Sequence, residues 1–175
     1  MKKKIKKDSG ILFWITGLSG TGKSTIGKNI HKDISKNFGP TILVNGDDFR
    51  DIFELKSYSK EARLSNCKKF VKYCKFITKQ KINIIFTVVG MYNQVRAWNR
   101  KNIPNYVEIY IKANVLQIIK KKKKPVYTNY KKDIVGMDIK AELPKKPDII
   151  INNDFTKDMR HLSKMLVKKL NTLKN

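Results

Sequence analysis

A phosphate-binding loop motif constrains this chain more than any other stretch of its sequence. Residues 17–24 read GLSGTGKS and fit the pattern G-x-x-x-x-G-K-[ST], which requires a buried strand before it and a helix after it. The apolar run Ile11–Thr16 precedes the motif, and Ile26, Ile30 and Ile34 follow it at the spacing of one buried helix face. The strand, the loop and the helix therefore follow one another in the order that the motif requires. We predict that this segment binds a nucleoside triphosphate.

The residue types of the motif indicate how it would hold phosphates. Glycines let the backbone curl so that several N–H groups point at one anion, and the positive end of the following helix adds to that field. Lys23 would reach the β- and γ-phosphates of ATP, and the Ser24 hydroxyl would ligate Mg²⁺. The predicted ATP-binding residues are Gly17, Ser19, Gly20, Thr21, Gly22, Lys23, Ser24 and Thr25.

Length and charge limit the classes of protein that need to be considered. With 175 residues, the chain can form one core, and we divide it into a basic tail, residues 1–9, and a single P-loop domain, residues 10–175. The net charge of +25 is carried mainly by lysines, which suit a solvated surface better than a nucleic-acid-reading surface. We therefore expect no nucleic-acid partner. No segment reaches the ~18 apolar residues of a membrane helix, so we expect no membrane partner and a cytoplasmic location.

Predicted strands and helices alternate along the chain, which indicates an α/β fold of the P-loop kinase type. Its sheet would be doubly wound, mostly parallel and flanked by helices. The predicted strands are 11–16, 41–44, 82–89, 106–111 and 148–152, and the predicted helices are 23–37, 60–79, 92–101, 115–120 and 157–173.

The carboxyl ends of the predicted strands should form the site, because ligands of such folds bind there. Segments 17–23, 47–50 and 90–91 all follow predicted strands and would meet at this edge of the sheet. The stretch 121–147 has no clear period and is rich in lysine, so we predict that it forms a lid segment.

Transfer of a phosphoryl group to a hydroxyl needs a carboxylate that orients the acceptor and takes its proton. Asp47 and Asp48 are the candidates, and Arg50 beside them could hold an acceptor phosphate. Arg63 and Asn66 share a helix face that we expect to differ from the buried stripe of their helix and to project toward the cleft. A role as ordinary solvated residues stays open for both.

Four segments, in order along the chain, resemble the adenylylsulfate (APS) kinase family. The phosphate loop resembles its GLSGxGKST, residues 45–50 (NGDDFR) its DGDNxR, and residues 58–66 (YSKEARLSN) its FSxxDRxxN. Residues 136–147 resemble its FTGID…YEAP…P ending. The resemblance implies transfer of the ATP γ-phosphate to the ribose 3′-hydroxyl of a nucleotide acceptor.

The resemblance also implies a role for each matched residue. Asp47 and Lys23 would be catalytic, and Ser24 and Asp47 would bind Mg²⁺. The acceptor would be held by Asp47, Arg50, Tyr58, Arg63, Asn66, Val89, Gly90, Lys124 and Ile134. A homodimer is expected as well.

The chain departs from the family where the acceptor base would bind. The family clamps the adenine of APS between two phenylalanines, whereas Tyr58 and Ile134 stand at those positions here, and Asn45 replaces the first aspartate of DGDNxR. Stacking on an aromatic ring is worth about 1–3 kcal/mol per base, so the loss of one ring predicts weaker selectivity for adenine. The acceptor is predicted to be APS or a cytidine nucleotide, such as the cytidine diphosphoramidate of capsule modification.

Alternative functions stay open. The chain could be a P-loop kinase for another nucleoside or a small alcohol, which a product assay would reveal. A basic nucleic-acid-binding protein that uses ATP would instead bind duplexes tightly, with an affinity that falls steeply with salt.

Overall fold

One parallel sheet with helices on both faces forms the body of the protein. In the computed structural model, which describes residues 5–122, 135–137 and 139–173, the strands are β1 (Ile11–Thr16), β2 (Thr41–Asn45), β3 (Asn83–Val88), β4 (Asn105–Lys112) and β5 (Ile149–Asn152). The helices are α1 (Lys23–Phe38), α2 (Gly46–Ile52), α3 (Lys60–Lys79), α4 (Asn93–Asn102), α5 (Val115–Lys122) and α6 (Met159–Asn171).

The strand order places the phosphate loop near the middle of the sheet. Within the described residues, the sheet has five strands in the order β2-β3-β1-β4-β5, and every neighbouring pair is parallel. The predicted fold class is therefore confirmed, and the sheet is wholly parallel rather than mostly so. Because β1 lies between β3 and β4, the loop that follows it emerges between the two halves of the sheet.

The three middle strands β3, β1 and β4 are buried on both faces, which explains why β1 is apolar from Ile11 to Ile15. Alternate residues of β1 point to opposite faces: Phe13 packs in a cluster with residues of α1 and α6, and Trp14 packs in a cluster with residues of α3 and α4. The predicted buried face of α1 is confirmed, since Ile26, Ile30 and Ile34 are all fully buried.

Helix α2 corrects the prediction for the segment after β2. We predicted no helix between residues 44 and 60, but the chain turns into a helix at Gly46 and stays helical to Ile52. This helix is short and mostly polar, and Phe49 is its one large buried side chain. A period of buried residues cannot develop over so few positions, so the pattern gave no signal for a helix.

A buried ion network joins α4, β4 and the segment before β5. Glu108 is 2% exposed, and its carboxylate lies 3.3 Å from Nε of Arg96 and 2.6 Å from the Arg100 guanidinium. Burial raises the pKa of the Glu108 carboxyl, and both arginines oppose that shift. Arg96 also donates to the Glu142 carbonyl and Arg100 to the Lys146 carbonyl. The network therefore ties the end of the predicted lid segment to the body of the fold.

The described helices also bear on membrane association. None of them combines the length and the apolar character that crossing a bilayer requires.

Replacing Glu108 with Gln should destabilise the fold strongly. The substitution keeps the shape of the side chain but removes the ion pair between Glu108 and Arg96, which is 4% exposed. Breaking a buried ion pair from one side costs about 3–5 kcal/mol of unfolding free energy. The matched control Asp33→Asn removes an exposed carboxylate of α1 and should change that free energy by less than about 0.5 kcal/mol. Urea unfolding followed by tryptophan fluorescence measures both variants, and equal stabilities would contradict the role of the network.

Candidate active site

The phosphate loop has a backbone that only glycine accommodates at two of its positions. Gly22, immediately before α1, has a φ of 92°, in the left-handed region that side chains disfavour. At Gly17, a Cβ atom would lie 2.6 Å from the carbonyl oxygen of Ile111 on β4, which is fixed backbone of the sheet. The motif glycines are therefore required here by local conformation and by close packing.

Lys23 lies inside the loop rather than in solvent. Its side chain is buried, and Nζ donates to the Leu18 carbonyl at 2.7 Å. The Thr21 hydroxyl donates to the same carbonyl at 2.9 Å, and Nδ2 of Asn153 donates to the Thr21 carbonyl at 3.1 Å. The loop is thus held from the end of β5, and the Lys23 ammonium group is held inside it.

Polar side chains from the loop, β2 and β3 form a connected chain beside Lys23. Ser24 Oγ lies 3.5 Å from Thr87 Oγ1, and the Thr87 hydroxyl donates to Asn45 Oδ1 at 2.8 Å. Nδ2 of Asn45 in turn donates to the Asp48 carboxylate at 2.7 Å. All of these side chains offer oxygen atoms, which are the ligands that Mg²⁺ prefers.

The donor set fits Mg²⁺ held partly by phosphate and water. Across the described ranges, no group of three or more His, Cys, Asp or Glu side chains could hold a metal ion by itself. Mg²⁺ usually keeps several waters and binds through one or two protein ligands together with substrate phosphates. The Ser24 hydroxyl at the start of α1, with Asp47 exposed on α2, agrees with such a partial site.

The structure brings together three of the predicted acceptor-binding residues. The guanidinium carbon of Arg50 lies 4.0 Å from the ring centre of Tyr58, and that of Arg63 lies 5.0 Å from the same ring. Arg50 also donates to the carbonyls of Leu55 and Ser57, and Arg63 Nε donates to the Tyr58 carbonyl at 2.7 Å. These bonds fix both cations beside a ring that is 52% exposed.

Asn66 corrects the predicted geometry of α3. We expected Arg63 and Asn66 on a face separate from the buried stripe, but Asn66 is 6% exposed and lies beside the buried Cys67. Asn66 turns inward because it lies one helical turn before the buried Phe70, whereas Arg63 stays half-buried. Burial raises the pKa of the Cys67 thiol to about 12, although Arg63 and Arg50 oppose the shift, so this thiol stays protonated at neutral pH.

Val89 and Gly90 lie directly beyond the end of β3. The Thr16 hydroxyl donates to the Val89 carbonyl at 2.6 Å, and a Cβ atom on Gly90 would lie 3.0 Å from the Trp14 ring. Both predicted residues are therefore held against the end of β1. Lys124, Ile134 and residues 123–134 of the predicted lid lie outside the described residues.

The described part of the predicted lid contacts the phosphate loop. Val135 pairs with Ile139 in an isolated bridge, and both are buried in a cluster with Leu18 of the loop. A Cβ atom on Gly136 would lie 2.8 Å from the Leu18 side chain. Leu18 is thus the residue of the loop against which this segment packs.

A cleft of about 740 Å³ opens beside the loop on the side away from Asp47. Leu18, Lys112, Asn114, Met137 and Asp154 are among its lining residues. Pockets of roughly 300–1,000 Å³ hold ligands of the size of a nucleoside. The ends of β4 and β5 therefore offer room for a ligand of that size next to the loop.

Two residues of this site were not predicted. Thr87 links Ser24 to Asn45, and Asn153 holds the loop, but neither belongs to a motif. Their position at the carboxyl ends of β3 and β5 was the available signal, because ligands of parallel sheets bind there.

Comparisons with known proteins agree with this arrangement. The family model described as adenylylsulphate kinase matches residues 9–152. The cytidine diphosphoramidate kinase of Campylobacter jejuni is 32% identical over 94% of this chain and 98% of its own length. The adenylyl-sulfate kinase of Clostridium kluyveri is 28% identical over 95% of this chain and 86% of its own length. The solved structure of the APS kinase of Mycobacterium tuberculosis with AMPPNP and APS has a TM-score of 0.80 at 18% identity, covering 93% of this chain and 98% of that one, and so shares the fold.

Replacing Lys23 with Met should weaken binding of a triphosphate without unfolding the loop. A charge-assisted hydrogen bond contributes about 1.5–3 kcal/mol, so we expect roughly 10- to 150-fold weaker binding of a fluorescent ATP analogue. The control Lys28→Met removes an exposed lysine of the same helix and should leave the affinity unchanged. Equal affinities of the two variants would contradict the position assigned to the Lys23 ammonium group.

Proposed function

Because the chain belongs to the adenylylsulphate kinase family and is a nucleotide-phosphorylating kinase, we propose that it transfers the γ-phosphate of ATP to the ribose 3′-hydroxyl of a cytidine nucleotide. Cytidine diphosphoramidate is the proposed acceptor, and APS is the alternative. The observation that carries this choice is the match, along almost the whole of both chains, to a relative that is named for that acceptor. The replacement of one phenylalanine of the adenine clamp by Ile134, which removes a ring, supports the same choice.

The donor side of the proposed reaction uses the loop and the β4–β5 side of the sheet. The triphosphate would lie along residues 17–24 with Lys23 at its β- and γ-phosphates, and the nucleoside would occupy the adjacent cleft. Mg²⁺, held by Ser24 and Asp47, would neutralise charge on the phosphate oxygens. The family's use of ATP agrees with this assignment, since the related M. tuberculosis kinase was solved with AMPPNP.

The acceptor side uses α2 and the start of α3. Asp47 is exposed on the first turn of α2 and would orient the ribose hydroxyl and take its proton. Arg50 and Arg63 would bind the anionic groups of the acceptor, because guanidiniums form paired hydrogen bonds with phosphate oxygens. Tyr58 between them would stack on the base, and the buried amide of Asn66 would help to fix it.

The order of the strands supports binding of the two substrates on opposite sides of the loop. The cleft lies at β4 and β5, whereas Asp47 and Arg50 follow β2, and β1 with its loop lies between these pairs. A phosphoryl group held at Lys23 would therefore face the acceptor hydroxyl across the loop. Such positioning supplies most of the catalysis in phosphoryl transfer. A homodimer in the cytoplasm completes the proposal.

The choice of acceptor is tested by offering ATP and Mg²⁺ with cytidine diphosphoramidate and with APS in separate reactions. We expect phosphorylation of the ribose 3′-hydroxyl, located by phosphorus NMR, with kcat/KM at least about fivefold higher for the cytidine nucleotide. This limit corresponds to about 1 kcal/mol, the lower value for one lost stacking partner. Higher kcat/KM with APS would contradict the cytidine assignment, and phosphorylation of neither acceptor would refute the proposed function.

Replacing Asp47 with Asn should abolish turnover while ATP binding is kept. General-base catalysis contributes about 10²–10⁴-fold to a rate, so we expect kcat to decrease by a factor in that range. Asp51→Asn is the matched control, because Asp51 is also exposed on α2 and lies one turn further along the helix. Steady-state kinetics and binding of a fluorescent ATP analogue measure both effects. A kcat near that of the natural sequence would remove Asp47 from the role of base.

A further inference from the structure

A chain of hydrogen-bonded side chains joins the phosphate loop to α2, and we propose that it orients the Ser24 hydroxyl toward the metal. The chain runs from Ser24 through Thr87 and Asn45 to Asp48. Thr87, Asn45 and Asp48 are positioning residues, since they act on the metal through Ser24. Their role rests on the proposed function, in which Ser24 ligates the Mg²⁺ that accompanies ATP.

The charge of Asp48 sets the direction of every hydrogen bond in the chain. A carboxylate only accepts, so the Asn45 amide turns its NH₂ group toward Asp48 and its oxygen toward Thr87. The Thr87 hydroxyl has one proton and donates it to that oxygen. Toward Ser24, the Thr87 oxygen can then only accept. Ser24 therefore donates its proton to Thr87, and its lone pairs stay available to a cation.

The position of Asn45 in the backbone supports this role. Asn45 is the residue immediately before α2, where asparagine usually accepts a hydrogen bond from the backbone of the following helix. Among the described residues, its side chain makes no such capping bond. Both ends of the amide are used by Thr87 and Asp48 instead. The side chain thus serves the chain of hydrogen bonds and not the end of the helix.

The same logic predicts that Asn45 and Asp48 can be exchanged. With Asp at position 45 and Asn at position 48, the carboxylate would accept from Thr87 and from the amide at 48, so the bond between Thr87 and Ser24 would keep its direction. The APS kinase pattern DGDNxR has the pair in this opposite order. Either single substitution breaks the arrangement. N45D puts a second carboxylate in place of the amide whose Nδ2 lies 2.7 Å from the Asp48 carboxylate, and D48N removes the charge that sets the direction.

The test measures Mn²⁺, a spectroscopic substitute for Mg²⁺, bound to the full chain with AMPPNP, by electron paramagnetic resonance. Substituting a residue that orients a metal ligand weakens metal binding by about 10- to 100-fold. We expect at least the lower value for N45D and for D48N. The double variant N45D/D48N should recover to within about threefold of the natural sequence, a difference of about 0.7 kcal/mol.

Three further variants keep the result specific. D51N removes a carboxylate from the same helix outside the chain and should leave Mn²⁺ binding unchanged. Thr87→Val removes the hydroxyl that links Ser24 to Asn45 and should weaken Mn²⁺ binding as D48N does. Thr87→Ser keeps this hydroxyl and should bind Mn²⁺ as the natural sequence does.

Two results would overturn this inference and leave the proposed function standing. The first is Mn²⁺ binding by D48N that equals that of the natural sequence, and the second is a double variant that binds Mn²⁺ no more tightly than the single variants. If the natural chain bound no Mn²⁺ with AMPPNP, the proposed function would fall as well. Since this readout needs no acceptor, an error in the acceptor would not affect it.

Discussion

The parallel pairing of β1 with both β3 and β4 is the interaction on which the rest of the structure depends. It fixes a fully buried strand between two neighbours, and the phosphate loop leaves that strand at its carboxyl end. The hydroxyl of Thr16, the last residue of β1, bonds to the Val89 carbonyl and so sets the loop against the end of β3. On the other side, Gly17 approaches the Ile111 carbonyl too closely for any side chain. The sheet therefore sets the position of the loop, and bonds within the loop from Thr21 and Lys23 to the Leu18 carbonyl hold its conformation.

Much of the fold could be predicted because buried elements leave periodic patterns. The bounds of α3 were predicted in full, since its buried stripe repeats over many turns and Ser59 caps its start through a bond from the Ala62 N–H. Helix α2 was missed because it is short and polar. The buried ion network was missed for a different reason. In the sequence, Arg96 and Glu108 each have the character of an exposed charged residue. Only the packing of α4 on β4 brings them together as an ion pair.

The candidate site, like the fold, could be predicted from the sequence only in part. The phosphate loop was predicted because its conformation demands glycines at fixed spacing, and this demand is visible in one sequence. The structure also brings Arg50, Tyr58 and Arg63 together, although it turns Asn66 into the interior. Thr87 and Asn153 were missed, since a single hydroxyl or amide at a strand end has no pattern of its own. Their importance follows from which atoms the sheet places beside the loop.

The two guanidiniums beside Tyr58 have a consequence for how an acceptor of the proposed kind would be selected. Arg50 lies over the ring and is also held by backbone carbonyls, so a base that stacks on that face must displace it. The anionic group of the same acceptor attracts the cation that has to move. Recognition of the base and recognition of the anion are then thermodynamically coupled rather than additive. A neutral nucleoside would lose affinity for two reasons: it makes no ion pair with Arg50, and Arg50 stays over the Tyr58 ring on which its base would stack.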